Sequence, residues 1–187
     1  MDIASLAFSI SSASPQGKFP IIIGIEGFGG SGKTTIAQHL SDSLEDSYVI
    51  HIDDFIVKEK LLEPAWDTGV FDHERLEKQI LLPASLGDQF MYQKLVYEEN
   101  TLGELITVLG IKYLIIEGIS CYIPKLRHYF DFKIWINTPI KVAMERGRAR
   151  DGTHGSEVDW KKWAAIDVAY QKKYLPRDIA DFTITNG

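Results

Sequence analysis

Cysteine is nearly absent: of 187 residues, only Cys121 carries a thiol. A lone thiol excludes an intramolecular disulfide and a thiolate cluster for metal, and it fits a reducing, cytoplasmic compartment. Long apolar runs are missing as well. None approaches the roughly 18 residues that a membrane-spanning helix needs. The mildly apolar stretch 3–10 follows Asp2, where a secretory leader would carry Lys or Arg, so a leading helix packed on the surface is expected within 1–18. Positive charge is in deficit, with 20 Lys and Arg against 26 Asp and Glu and a formal charge of −6. This argues against a general nucleic-acid binder, whose affinity rests on many cationic contacts to phosphates. Any anionic ligand must therefore be held locally. His39, His128 and His154 have no metal-ligand spacing, and tetrahedral zinc is not supported.

What is present suits one well-buried α/β domain spanning 1–187: 45% of the residues are hydrophobic, and the chain is too short for two comfortable cores. Apolar runs rich in Ile and Val at 21–25, 48–52, 113–116 and 132–136, and a shorter one at 182–184, read as strands of a parallel sheet buried on both faces. Helical patterns lie between them, as at 34–44, where Ile36, Ala37, Leu40 and Leu44 share a stripe. The alternation predicts helices on both sides of the sheet. Thr138 before Pro139 reads as an N-cap followed by proline at the first helical position, opening a helix that runs toward Arg150. Ser156 with Asp159 resembles a capping box for a last helix carrying Trp160, Trp163, Ala164 and Ala169, and the DGTHG segment at 151–155 joins the two helices.

The strongest local signal is Gly27-Phe28-Gly29-Gly30-Ser31-Gly32-Lys33-Thr34, followed by Thr35. It satisfies G-x-x-x-x-G-K-[ST] directly after a predicted strand and directly before a predicted helix. Glycines let consecutive N–H groups turn inward around an anion, and the helix adds the positive end of its dipole. Lys33 is then expected on the β- and γ-phosphates of ATP, and the Thr34 hydroxyl on Mg²⁺.

Two strand ends add acids. His51-Ile52-Asp53-Asp54-Phe55 places two carboxylates at the carboxyl edge of the sheet, where open α/β folds bind ligands, and one is a candidate base. Leu114-Ile115-Ile116-Glu117-Gly118 brings a carboxylate beside the phosphate loop, suited to Mg²⁺ directly or through water. Arg146 and Arg150 are four apart and share a helix face, an arrangement that suits the charge on a transferring phosphoryl group.

In order and spacing these segments resemble the uridine kinase and phosphoribulokinase group of small-molecule P-loop kinases, especially bacterial uridine kinase-like proteins. The resemblance covers nearly the whole chain after Phe19. It rests on GFGGSGKTT, on DDF, on the segment 66–76, on LIIEG, on RARD at 148–151 and on the closing YLPRDIADFTITNG. It implies a three-layer P-loop fold with a five-stranded parallel sheet, an acceptor-binding insertion at 61–102 and a short lid at 151–159. It also implies transfer of the ATP γ-phosphate to a hydroxyl of a small molecule, a nucleoside such as uridine or another polyol-like alcohol, by a family that often forms dimers or tetramers.

By position, Asp53 matches the acid that accepts the hydroxyl proton, with Asp54 beside it at the acceptor. Glu117 matches the Mg²⁺-associated acid, and Arg150 a lid arginine that reaches phosphate. Trp66-Asp67 resembles the aromatic-acid pair that holds ribose hydroxyls. The interval to Phe71-Asp72 is one residue shorter than in nucleoside kinases, so Asp67 and Asp72 both stand as candidates. Tyr92 and Tyr97 resemble an aromatic hairpin that packs on the acceptor.

Other P-loop functions fit less well. A GTPase would show an N-K-x-D motif, which is absent. A nucleotide-binding switch or regulatory ATPase would need neither Asp53 nor an acceptor pocket. A kinase for monophosphates would need a second basic pocket, whereas 61–102 is mostly acidic or apolar.

Overall fold

The computed structural model describes all residues except 15, 16, 18, 63, 64, 68 and 153–156, and only the backbone of 151 and 157–159. Its centre is a five-stranded sheet formed by β1 (Ile21–Gly27), β2 (Ser47–His51), β5 (Tyr113–Glu117), β6 (Phe132–Asn137) and β7 (Phe182–Thr185). The spatial order is β2-β5-β1-β6-β7, and every pairing is parallel. β1 is buried along its whole length, which is why its sequence stays apolar instead of alternating.

Each face of the sheet packs its own core. Ile21, Ile23 and Ile25 join Leu6, Ile10, Ile36, Ala37 and Leu40, so one face is covered by α1 (Ile3–Ala13) and α2 (Lys33–Asp42). Asp2 caps α1 by accepting from the Ser5 N–H at 2.8 Å, and Leu6, Ala7 and Ile10 turn inward. The leading helix is therefore present and packed. On the opposite face, Ile22, Leu114 and Ile116 pack with Tyr122, Leu126, Phe130 and the helical stretch that runs through α3 (His73–Leu76), a π-helical turn Glu77–Leu81 and α4 (Leu82–Ser85). A separate antiparallel hairpin, β3 (Phe90–Val96) and β4 (Thr101–Val108), stands outside the main sheet.

The carboxyl half carries α5 (Ile140–Asp151) and α6 (Glu157–Tyr174). Thr138 does not cap α5: Pro139 occupies the cap position. The Thr138 hydroxyl instead donates to the carbonyls of Ser31 at 3.1 Å and Asn186 at 2.9 Å. Two tertiary acceptors outcompete the local N–H groups that the Thr-Pro pattern suggested. Ala169, grouped with the tryptophans in sequence, lies on the exposed side of α6, whereas Asp167 is buried. The capping box at Ser156 and most of the short lid fall outside the described residues. No helix among the described residues is long and apolar enough to cross a membrane.

One buried acid sits behind the phosphate loop. Glu26, on β1, is 1% exposed. One of its oxygens accepts from the Tyr122 N–H at 2.9 Å and the Tyr170 hydroxyl at 3.2 Å. Burial pushes its pKa up to about 8, against the pull of those bonds and of Lys33 and Arg127. Between the ordinary value of 4.5 and about 8, the folded chain holds a proton that the unfolded chain has lost. Raising the pH through that window therefore favours unfolding, and the loss is complete above it. Glu26→Gln keeps an acceptor oxygen without the charge. The variant is expected to melt close to the parent near pH 5 and well above it at pH 8.5, a gap on the order of 4 kcal/mol at most. An equal difference at both pH values in thermal melts would refute this account of Glu26.

Candidate active site

The phosphate loop fills the turn between β1 and α2. Gly30 has φ +78°, and a Cβ there would run into the Ala143 carbonyl of α5, so only glycine lets the loop lie this close to that helix. The loop is braced from behind by the end of the chain. The Asn186 side-chain amide donates to the Ser31 carbonyl at 2.8 Å, and the Asn186 carbonyl accepts from Thr138 and, at 2.9 Å, from Arg146. Lys33 turns its ammonium onto the carbonyls of Gly27 (3.2 Å) and Phe28 (3.0 Å). The Phe28 ring packs edge-on against Trp135. Thr35 is exposed on the first turn of α2.

Glu117, at the end of β5, joins the loop to β2. One of its oxygens accepts from the Thr34 hydroxyl at 2.9 Å and lies 2.7 Å from His51 Nδ1. The parallel register of β2 on β5 places His51 beside Glu117. Burial pushes the Glu117 carboxyl up, but the His51 hydrogen bond, Lys33 and Thr34 outweigh it and leave the pKa below the ordinary value. The same hydrogen bond raises the pKa of His51.

Asp53 follows on a short 3₁₀ turn, Ile52–Phe55. Asp53 is exposed to the cavity it borders, and partial desolvation by the surrounding protein, together with Glu117, raises its pKa against Lys33, His51 and Arg150.

These groups line one cavity of about 290 Å³, at the carboxyl edge of the sheet. Its phosphate end holds Gly29, Gly30, Lys33, Thr34 and Glu117; Asp53 and Arg150 also border it. The remaining wall is apolar and aromatic, with Trp66, Phe71 and Tyr97 from the segment between β2 and β4 and Met144, Trp160 and Trp163 from α5 and α6.

Gly27, Phe28, Ser31, Gly32 and Thr35 of the loop are not on that lining, and five expected site residues outside the loop also stand away from it. Asp54 pairs with Lys94 at 3.1 Å. Asp67 accepts from Lys173 and from the Tyr174 hydroxyl, each at 2.6 Å. Asp72 caps α3 by accepting from the Arg75 N–H at 2.9 Å. Tyr92 is buried, with its hydroxyl 3.1 Å from that of Tyr48. Arg146 is turned to Asn186.

Sequence reading passed over Asp167. Its two oxygens accept from the Gly29 N–H (2.8 Å) and from the Trp66 indole N–H, so one buried carboxylate ties α6 to both the phosphate loop and the insertion. Burial raises its pKa, while those two bonds and Lys33 oppose the rise. The available signal was spacing: Trp160, Trp163 and Asp167 recur on one helical face, and an acid on an apolar face needs a partner.

A uridine kinase from Ligilactobacillus salivarius is 31% identical over 145 residues, covering 71% of this chain and 67% of the relative. The chain belongs to the uridine kinase family. A uridine kinase from Borrelia hermsii is 27% identical, covering 89% of this chain and 86% of its own. Among solved structures, a protein described as a "possible uridine kinase" from Bacillus stearothermophilus superposes with a TM-score of 0.75 at 23% identity, over 97% of this chain and 96% of that one. That likeness is one of fold. No protein-family model matches the chain. Uridine kinase family membership makes this a P-loop small-molecule kinase, a phosphotransferase.

Proposed function

We propose that the protein transfers the γ-phosphoryl group of ATP, with Mg²⁺, to a hydroxyl of a small molecule the size of a nucleoside. The observation that carries this reading is the convergence of Lys33, Thr34, Asp53, Glu117 and Arg150 on one cavity with a large apolar wall. A nucleotide switch has no use for the wall or for an acid at Asp53.

The residues fit a hard cation. Thr34 and Glu117 supply only oxygen donors, the set that Mg²⁺ combines with water and phosphate oxygens. When bound, Mg²⁺ neutralises charge building on the β- and γ-phosphate oxygens. Lys33 and Arg150 add fixed positive charge there, which counts for more in a water-poor cavity. Asp53 takes the proton of the acceptor hydroxyl as its oxygen bonds to the γ-phosphorus and the bond to the β,γ-bridging oxygen breaks, releasing ADP. The loop N–H groups, with Phe28, Gly32 and Thr35 flanking them, complete the ATP site.

The test is ADP release from Mg²⁺ and ATP across uridine, other nucleosides, pantothenate, ribosylnicotinamide, glycerate and sugars, with a control lacking acceptor. One strong responder is expected. Release that ignores every acceptor would replace this reading with a regulatory ATPase.

For the acceptor hydroxyls, Asp67 and Asp72 are both proposed, with Trp66 and Tyr97 at the ring, Asp54 nearby, and Tyr92, which is buried, supporting the hairpin from beneath. Asp67→Ala is expected to raise the acceptor KM several-fold with little change in kcat. The same signature from Asp72→Ala and none from Asp67→Ala would move the role to Asp72.

A further inference from the structure

The carboxylate of Asp167 sits where charge alone would not put one. It is buried on α6 against the phosphate loop. Like charges repel strongly in a protected site, so it works against the anion that the loop gathers. What a carboxylate offers there is two acceptor oxygens. One takes the Gly29 N–H at 2.8 Å and the other the Trp66 indole N–H. An amide of the same shape has one acceptor oxygen and would turn its NH₂ toward one of the two donors, leaving a buried N–H unpaired.

Gly29 needs such a hold. Unlike Gly30 and Gly32 it lacks a positive φ, and a Cβ there would meet nothing closer than Asp167 Oδ2 at 3.6 Å. Neither backbone strain nor crowding therefore fixes this peptide, and two successive glycines leave the turn 28–31 with wide freedom. The turn is closed by the Ser31 N–H on the Phe28 carbonyl at 3.0 Å and anchored at Gly29 by Asp167. One turn further along α6, the Tyr170 hydroxyl on Glu26 pins the helix itself, so the anchor is presented from a fixed place.

We infer that Asp167 is a positioning residue for ATP: it sets the phosphate loop through Gly29 while its other oxygen is satisfied by Trp66, so the segment carrying Trp66 tunes ATP affinity. By reciprocity, whatever orders Trp66 is felt at the loop, and ATP is felt at Trp66. The inference rests on the ATP reading of the loop, and its test needs no acceptor.

Calorimetry with Mg²⁺ and adenylyl imidodiphosphate, a non-hydrolysable ATP analogue, would compare the parent, Asp167→Asn, Trp66→Phe and the double variant. Asp167→Asn is expected to weaken the analogue at least about tenfold, although removal of a negative charge by itself would tighten it. Trp66→Phe is expected to weaken it severalfold, through the carboxylate oxygen left unpaired. In the Trp66→Phe background the Asn carbonyl is free for Gly29, so Asp167→Asn should add less than about threefold there. Parent-like or tighter binding by Asp167→Asn, or the same loss in both backgrounds, overturns the inference. Melting curves without nucleotide check folding. Should Asp167→Asn fail to fold, Trp66→Phe decides alone, and parent-like affinity in it overturns the inference. No binding by the parent would sink the ATP reading and this inference with it, whereas a parent that binds and variants that match it sink this inference alone.

Discussion

Lys33→Ala is expected to abolish productive ATP binding. The ammonium sits over the loop on the carbonyls of Gly27 and Phe28, within reach of any anion that the loop N–H groups gather. Truncating one partner of a hydrogen-bonded charge pair costs about 2–5 kcal/mol, or roughly 30- to several-thousand-fold in affinity. Turnover falls further, because the same charge is needed most as the phosphoryl group transfers. Calorimetry with ATP and Mg²⁺ reads the first effect and ADP release the second. Lys33 is 8% exposed and faces its own loop, so the variant should fold, and a far-ultraviolet spectrum checks that. Parent-like ATP affinity would remove Lys33 from the site.

Asp53→Asn should separate binding from chemistry. The amide keeps the shape but cannot take a proton, and loss of a general base typically lowers rate by about 10²–10⁴-fold. ATP affinity should stay near that of the parent. Partial desolvation and Glu117 raise the Asp53 pKa, so the working, ionised form is lost as the pH falls through a value above the ordinary carboxylate range. In the parent, kcat/KM should therefore rise with pH across that displaced step, and Asp53→Asn should flatten it. If Asp54→Asn gave this behaviour and Asp53→Asn did not, the base would be the neighbour, whose ion pair with Lys94 would then have to open.

What could be read from sequence was local. The strand, glycine loop and helix at 21–44 announce themselves because spacing, turn chemistry and helix start all act over a few residues, and the acids at the ends of β2 and β5 follow from where those strands stop. Asp167 is the opposite case. Its meaning depends on Gly29 and Trp66, which lie 138 and 101 residues away in sequence. Thr138 shows the same limit: a good local cap is drawn off by the carbonyls of Ser31 and Asn186. The acceptor side was least legible. Tyr92 and Tyr97 share a strand region and a residue type, yet one is sealed beneath the hairpin against Tyr48 and the other lines the cavity. A strand's alternation assigns faces only once its partner is known.

The hairpin's independence from the main sheet carries an evolutionary consequence. The proposed phosphoryl chemistry lies at the edge of the five-stranded sheet, whereas much of the wall proposed to meet the acceptor belongs to the segment that holds Trp66, Phe71 and Tyr97. Drift in the second inventory can retune what is phosphorylated while the first stays intact, as scaffolds with function grafted on loops allow. Asp167 is the seam where the two inventories share a side chain. A lineage exploring new acceptors is free to vary the wall around it, and far less free to vary Asp167 itself.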